Sequence, residues 1–318
     1  MSTARILLTG ANGQLGTELA QALVARHGAQ AVITSDVVPR GRIEGVVHET
    51  LDITDAGALK AVIERHGITQ IWHLAAALSA VGERAPTWAW HLNMAGLLNV
   101  LEAARQHRLD KVFWPSSIAA FGPTTPADLT PQHTVMEPTT VYGISKLAGE
   151  GWCRWYHAHH GVDVRSLRYP GLVSWKTAPG GGTTDYAIEI FHAAVKGEAY
   201  TCFLQADEAL PMMYMDDAVR ATLELMDAPA DRITERGSYN LAGLSFTPAE
   251  IAAEIRRQCP DFEVGYAPDF RQAIAASWPG LIDDSQARSD WGWQARFDLQ
   301  ALVAEMLARL RQTITAAA

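Results

Sequence analysis

The sequence predicts an α/β protein in which a doubly wound parallel sheet is followed by a smaller C-terminal lobe. Short β-branched runs alternate with longer helical patterns through the first half, as in parallel sheets that helices cover on both faces. This alternation stops after Tyr169, where shorter irregular pieces begin. The 318 residues are 48% hydrophobic and 19% charged, which suits a large core. We therefore predict one domain over residues 1–170 and a lobe over residues 171–318, with interleaved segments that return to the first domain.

The predicted strands are short apolar runs bounded by polar or turn-forming residues. In chain order they are Arg5 to Thr9, Ala31 to Ser35, Val46 to Glu49, Gln70 to Leu74, Lys111 to Pro115 and Asp163 to Tyr169. A segment long enough for a crossover follows each strand, so we expect the strands to run parallel.

The predicted helices have apolar residues at helical spacing, and glycines end several of them. In chain order they are Leu15 to His27, Asp55 to His66, Pro86 to His107, Val141 to His160, Tyr186 to Lys196, a helix that opens at the capping box Thr247-Pro248-Ala249-Glu250 and runs to about Cys259, and a last helix capped by Asp298.

The composition argues against several classes of partner. Lys plus Arg is 26 against 35 for Asp plus Glu, a net charge of −9, so we expect no nucleic-acid partner. No apolar run approaches the roughly 18 residues of a membrane span, and we expect a cytoplasmic protein without a membrane partner. Cys153, Cys202 and Cys259 lack metal-ligand spacing, which predicts three buried free thiols and no metal site.

A glycine motif between the first strand and the first helix predicts a dinucleotide site of the Rossmann type. Its residues are Gly10, Gly13, Gln14, Leu15 and Gly16. Such a loop needs a tight turn and close backbone approach to a pyrophosphate, whose charge the helix N-terminus accepts. The alternative is a glycine-rich turn without a ligand.

Residues at the ends of the next strands fit the same cofactor. Asp36 follows the last glycine by about twenty residues, where a carboxylate binds the ribose hydroxyls of NAD, although a solvated strand-end Asp is the alternative. Asp52 and Ile53 could flank the adenine, and Ile53 could equally be core. Leu74, Ala75 and Ala76 are small enough to let a dinucleotide pass.

Tyr142 and Lys146 are four residues apart at a predicted helix start, so both side chains lie on one face. A Lys ammonium beside a phenol favours the phenolate, which predicts a lowered tyrosine pKa and a base for an alcohol proton. Lys146 could also hold the nicotinamide ribose. The spacing alone is more typical of an ordinary helix.

Together with these motifs, further strings resemble the extended short-chain dehydrogenase/reductase superfamily over essentially the whole chain. They are His73-Leu74-Ala75-Ala76, Asn93, Ser116-Ser117 ahead of Phe121-Gly122, and Arg168-Tyr169-Pro170-Gly171. The resemblance implies NAD as cofactor, Asn93 as a cofactor-site residue, and a Ser that polarises the reacting oxygen beside Tyr142 and Lys146. Counting back from Phe121 selects Ser117, with Ser116 as the alternative. Either serine could instead bond only the local backbone.

Within this superfamily the second half is similar to the L-threonine 3-dehydrogenases of short-chain type. The strings that carry this similarity are Leu78 to Glu83, Arg168 to Leu172, Gly181 to Ala187, Leu210 to Ala218 and Ser277-Trp278-Pro279. The resemblance implies that Ser79, Ser117, Tyr142, Thr183, Thr184 and Trp278 surround the amino acid, and that Tyr169, Pro170 and Leu172 border the nicotinamide. It also implies a homodimer through the two long helices, where Trp88, Trp90, Trp152, Trp155 and Tyr156 offer aromatic surface. The alternative is that these rings face the core.

The charge inventory of the lobe favours a small substrate. Nucleotide-sugar enzymes hold a diphosphate with Arg or Lys, but between Lys176 and Arg220 the only such residue is Lys196. Thr183 and Thr184 stand where a helix begins and could bind a carboxylate, or one of them could be only an N-cap. We expect Trp278 with Met212 and Pro211 to form an apolar wall around a methyl group.

These features predict NAD-dependent oxidation of the L-threonine β-hydroxyl to 2-amino-3-oxobutanoate, with Tyr142 as general base. A nucleotide-sugar epimerase or dehydratase on the same scaffold is the alternative enzyme. A catalytically silent NAD-sensing protein is the alternative from another class, because a fold alone does not prove turnover.

Overall fold

The computed structural model describes residues 4–177 and 182–317, and its strands are short. The strands are β1 (Ile6–Thr9), β2 (Val32–Asp36), β3 (Val47–Thr50), β4 (Gln70–His73), β5 (Lys111–Phe113), β6 (Ser116–Ser117), β7 (Val164–Arg165), β8 (Leu167–Tyr169), β9 (Gly171–Val173), β10 (Tyr200–Cys202), β11 (Leu210–Tyr214), β12 (Tyr239–Asn240), β13 (Leu244–Phe246) and β14 (Val264–Tyr266).

The helices alternate with these strands in the first half and dominate the end of the chain. They are α1 (Gln14–His27), α2 (Ala56–His66), α3 (Ser79–Arg84), α4 (Pro86–His107), α5 (Val141–His160), α6 (Tyr186–Lys196), α7 (Met215–Asp227), α8 (Pro248–Arg256), α9 (Arg271–Ala275), α10 (Ser285–Trp291) and α11 (Leu299–Ala317). No helix in the described part of the chain is long and apolar enough to cross a membrane.

A six-stranded parallel sheet in the order β3-β2-β1-β4-β5-β7 confirms the predicted fold class. The side chains of β1 alternate between its two faces. Leu7 packs with the apolar residues of α2 and α4, whereas Ile6 and Leu8 pack with those of α1 and α7. Helices therefore bury both faces of the sheet, as a doubly wound fold requires.

Two predicted strands are wrong at their C-terminal ends. The strand that begins at Lys111 stops at Phe113, before Pro115, which has no N–H for the ladder. The predicted strand over Asp163 to Tyr169 divides at Ser166, because the carbonyl oxygen of Ser166 accepts the backbone N–H of Tyr239. The chain then leaves the main sheet, and β8 lies between β6 and β12 in a separate three-stranded sheet.

The predicted helices occur with small changes of boundary. Asp55 is the N-cap of α2 and accepts the N–H of Ala58 at 2.9 Å. Thr247 and Glu250 form the predicted capping box, but α8 ends at Arg256, before the expected Cys259. Asp298 caps α11 by accepting the N–H of Ala301.

A separate hydrophobic cluster lies between α6, α8 and α11, around Phe191, Ile255 and Met306, in the part of the chain predicted to form the lobe. Cys153 and Cys202 are buried free thiols as predicted. Cys259 is only partly buried, because it follows the end of α8, so the expectation of three buried thiols is wrong at that position.

Candidate active site

A cavity of about 440 Å³ opens at the carboxyl ends of β1, β2, β4 and β6. This edge lies where the strand order reverses between β1 and β4, the usual ligand position in open α/β sheets. The site residues predicted from the sequence that line the cavity are Gly10, Gly13, Gln14, Leu15, Gly16, Asp36, Asp52, Ile53, Leu74, Ala75, Ala76, Ser116, Ser117, Tyr142, Lys146, Tyr169, Pro170, Leu172, Thr183, Thr184 and Trp278.

The first and last glycines of the loop, Gly10 and Gly16, have no room for a side chain. Gly10 has φ of +67°, and a Cβ added to it would lie 2.6 Å from the backbone nitrogen of Ala75. A Cβ on Gly16 would lie 2.3 Å from the carbonyl oxygen of Gly10. The loop therefore brings bare backbone and the N-terminus of α1 to the cavity, an arrangement suited to an anion.

Gln14 offers an independent sign that a polar ligand fits this loop. Its Nε2 atom is buried and has no hydrogen-bond partner among the described residues. A buried donor without a partner is costly, and Gln14 lines the cavity at the first residue of α1. A phosphate oxygen of a dinucleotide would satisfy it.

The carboxylate of Asp36 stands at the end of β2 and is held by two backbone amides. Its Oδ2 accepts from the N–H of Asn12 at 3.1 Å, and its Oδ1 accepts from that of Val38 at 3.2 Å. Asp52 accepts two bonds from Thr54, which lower the pKa of its carboxyl and keep it ionised. Ile53 both lines the cavity and packs into the core, so its two predicted roles are compatible.

Asn93 does not line the cavity, contrary to its expected place in the cofactor site. Its side chain is buried, accepts the N–H of Ala77 at 2.7 Å, and donates to the Ala77 carbonyl and to Ser145 Oγ. Asn93 therefore joins the segment after β4 to α5.

Tyr142 and Lys146 lie one turn apart on α5, whose N-cap Thr140 accepts the N–H of Gly143. Lys146 Nζ donates to the carbonyl of Pro115 at 2.5 Å and lies 5.3 Å from the centre of the Tyr142 ring. A Cβ on Gly143 would lie 2.0 Å from the Ala119 carbonyl oxygen, so the helix packs directly on the turn after β6. This contact brings Tyr142 beside Ser117.

Burial raises the pKa of Tyr142 to about 12, although a hydrogen bond with Ser117 partly offsets the rise. Burial also lowers the pKa of Lys146 to about 7, although the nearby carboxylate of Glu150 partly offsets the fall. The prediction that Lys146 lowers the tyrosine pKa is therefore wrong in this structure. The ammonium donates to Pro115 rather than to the phenol oxygen, and its own charge is weakened by desolvation.

The two serines of β6 have different partners. Ser116 Oγ donates to the buried carboxylate of Glu150 at 2.7 Å. Ser117 Oγ accepts the N–H of Ala119 and hydrogen bonds Tyr142. Of the two hydroxyls, that of Ser117 is therefore available to a ligand beside Tyr142, while it also makes the local backbone bond that was considered as an alternative.

Thr183 and Thr184 border the cavity just before α6, and Asp185 occupies the N-cap position, so neither threonine is the N-cap. Trp278 forms part of the cavity wall and packs against the cluster of Ile118, Phe121 and Ile282. Pro211 and Met212 are buried in β11 and do not line the cavity, so their predicted part in this wall is wrong. The Ser79 side chain and Gly180 and Gly181 lie outside the described residues.

Sequence reasoning missed several residues of the site. Ile118 and Leu78 add apolar lining, although Leu78 was named only as the start of a similar string and Ile118 was not predicted to line the site. Glu83 accepts the N–H of Val141 at 2.7 Å and so joins α3 to the start of α5. In the described part of the chain, no three His, Cys, Asp or Glu side chains gather as metal ligands.

Comparisons with known proteins agree with this geometry. The model of the NAD dependent epimerase/dehydratase family matches residues 6–242. The bovine (Bos taurus) mitochondrial L-threonine 3-dehydrogenase is 47% identical over 306 residues, which cover 95% of this chain and 82% of that protein.

Two solved structures are also similar. The GalE-like L-threonine dehydrogenase from Cupriavidus necator in its holo form has a TM-score of 0.96 and 71% identity, covering 96% of this chain and 99% of that chain. A monomeric L-threonine 3-dehydrogenase of metagenomic origin has a TM-score of 0.93 and 46% identity, covering 97% and 99%.

Proposed function

This chain belongs to the NAD dependent epimerase/dehydratase family, and we propose that it is an NAD-dependent L-threonine 3-dehydrogenase. The observation that carries the proposal is that Ser117, Tyr142 and Lys146 face the same cavity as the glycine loop and Thr183 and Thr184. The similar L-threonine dehydrogenases support the same activity.

The residues of the cavity fit NAD. The amides at the start of α1 and the unpartnered Gln14 donor suit the pyrophosphate, and Asp36 suits the adenosine ribose hydroxyls. Asp52 and Ile53 would flank the adenine, while Tyr169, Pro170 and Leu172 would border the nicotinamide. When bound, NAD supplies the hydride acceptor.

Tyr142 would take the hydroxyl proton of L-threonine while the β-hydrogen leaves with its electron pair as hydride. The C–H and O–H bonds break and a C=O bond forms, so L-threonine and NAD⁺ give 2-amino-3-oxobutanoate, NADH and one proton. Ser117 would hold the reacting oxygen. The pKa of Tyr142 is about 12 in this structure, which makes it a poor base at neutral pH. Its hydrogen bond with Ser117 is the contact that favours the ionised form, since Lys146 donates to the Pro115 carbonyl instead.

The charge of the cavity favours an amino acid over a nucleotide sugar. Lys146 is the only Lys or Arg among its described lining residues, and Pro115 and Tyr142 surround it. The described lining therefore offers no further Arg or Lys to bind a substrate diphosphate. Thr183 and Thr184 could instead bind one carboxylate, and Trp278 with Ile118 could enclose the methyl group.

A homodimer in the cytoplasm is the proposed state. Trp88, Trp90, Trp152 and Trp155 on α4 and α5 are 52%, 42%, 39% and 41% exposed, so these rings do not face the core, whereas Tyr156 is buried. Rings of this kind are enriched at interfaces. One similar enzyme is monomeric, so the mass in solution is needed to distinguish a dimer from a monomer. A monomeric mass by light scattering at micromolar concentration would contradict the dimer.

The test of function measures NADH formation with L-threonine, D-threonine, L-allo-threonine, L-serine and threonine amide. L-Serine should be slower by about 10- to 200-fold, the usual effect of one missing methyl group in a fitted pocket. Threonine amide should fail more severely, because the carboxylate partners would be left unpaired. Epimerisation of UDP-galactose without threonine oxidation would favour the epimerase, and NAD binding without turnover would favour the sensing protein.

A further inference from the structure

Arg168 lies at the centre of a buried polar network beside the cavity, although it does not line the cavity itself. Its Nε and Nη2 atoms donate to the two carboxylate oxygens of Glu150 at 2.9 and 2.7 Å. Its Nη1 atom donates to Asn240 Oδ1 at 2.8 Å and to the carbonyl of Gln132 at 3.0 Å. The side chains of Arg168 and Glu150 are 3% and 0% exposed, so solvent does not compete for these bonds.

One arm of the network reaches the side of the cavity that carries Tyr142. Glu150 lies one helical turn after Lys146 on α5 and also accepts the hydroxyl of Ser116 at 2.7 Å. Ser116 directly precedes Ser117. The ion pair of Arg168 and Glu150, with its two parallel hydrogen bonds, therefore fixes α5 relative to the end of β6. These two elements bring Tyr142 and Ser117 together.

The other arm reaches the wall that carries Trp278. Asn240 Nδ2 donates to the carbonyls of Thr130 and Asp283 at 3.1 and 3.0 Å. Thr130 in turn bonds the backbone of Leu281 and Asp283 on either side of Ile282. Ile282 packs with Trp278, and the Phe121 ring of the same cluster lies 5.3 Å from the Arg168 guanidinium.

We propose that Arg168 is a positioning residue that sets the Trp278 wall at a fixed distance from Tyr142, acting through Asn240 and Glu150. This inference rests on the proposed function, because it assigns the specificity for the substrate methyl group to that distance. A buried guanidinium with partners on both sides fits this role, since its planar fork fixes direction as well as distance.

The test compares Asn240→Ser and Arg168→Lys with Arg165→Lys as a matched control. Arg165 is another buried arginine, which bonds Asp163 and the carbonyls of Leu225 and Ala228, away from the cavity. Asn240→Ser should raise KM for L-threonine and reduce its preference over L-serine by about tenfold, because a loosened wall no longer fits the methyl group. KM for NAD should not change. Arg168→Lys should reduce both the preference and kcat, whereas Arg165→Lys should lower only stability.

Hydrogen–deuterium exchange of the same proteins gives a readout that needs no turnover. Asn240→Ser and Arg168→Lys should speed exchange over residues 278–284 more than Arg165→Lys does. An unchanged threonine preference in both variants, with or without faster exchange, would overturn the proposal. If the wild-type protein oxidises no L-threonine, the proposed function is wrong, and the positioning role is then judged from the exchange data alone. Faster exchange confined to residues 278–284 and 127–132 would then still support the positioning role, and exchange like that of the control would overturn it.

Discussion

Asp36 should make the protein prefer NAD over NADP, because a 2′-phosphate would meet its carboxylate at the end of β2. Two backbone amides hold this carboxylate in place, so it cannot easily turn away from the cavity. The change that tests this is Asp36→Asn, which keeps an oxygen acceptor and removes the charge.

The size of the preference follows from the charges involved. Two unit charges about 4 Å apart interact by about 1 kcal/mol in water and about 4 kcal/mol near a protein surface. A phosphate monoester carries about 1.5 to 2 negative charges at neutral pH. Asp36 is partly exposed, so the lower half of this range applies, about 2 to 4 kcal/mol in total. This free energy corresponds to a preference of about 30- to 1,000-fold.

The assay measures kcat/KM for NAD and NADP with saturating L-threonine at low and high salt. Asp36→Asn should reduce the preference to below about tenfold, and salt should weaken the wild-type preference because the carboxylate is partly exposed. Asp52→Asn is the control, since Asp52 lines the same cavity but bonds Thr54. Equal kcat/KM for the two cofactors in the wild type would refute the role of Asp36, as would an unchanged ratio in Asp36→Asn.

Three further changes test the site and its scaffold. Tyr142→Phe should keep NAD affinity in a fluorescence titration and lose about 10²- to 10⁴-fold in kcat, and near-normal turnover would place the base elsewhere. Gly16→Ala should cost about 1 to 3 kcal/mol of unfolding free energy and weaken NAD binding, because its Cβ would lie 2.3 Å from the Gly10 carbonyl oxygen. Gly151→Ala, with nothing within 4 Å, is the matched control and should be neutral or stabilising. Burial lowers the pKa of His73 to about 3, so the unfolded chain takes up a proton below about pH 6.5 while the folded chain does not. Stability should therefore fall by about 2 kcal/mol between pH 6.5 and 5.0, and His73→Gln should lack this part of the loss in denaturant unfolding at the two pH values.

The sequence predicted the sheet, the long helices and most of the cavity lining, because these depend on local patterns. Short apolar runs, the glycine loop and the capping residues act within a few neighbours. The end of the main sheet could not be predicted in this way. The chain leaves it at Ser166 because Tyr239, more than seventy residues later, takes the backbone acceptor.

The parts of the site that escaped prediction also depend on distant partners. The difference between Ser116 and Ser117 comes from Glu150, and Asn93 is turned away from the cavity by its bonds with Ala77. The pKa of Tyr142 depends on how fully the surrounding elements exclude water, which its spacing from Lys146 does not encode.

If the proposed dimer forms, the exposed indoles of α4 and α5 would report subunit association through their fluorescence. Among the ten tryptophans, Trp72, Trp114 and Trp293 are already buried, so their spectra should not respond to dilution. Indole emission moves to shorter wavelength when water leaves the ring. Association through the exposed rings should therefore shift the tryptophan emission to shorter wavelength, and dilution should reverse the shift. A dilution series would then give the dissociation constant of the dimer without a label or an immobilised partner.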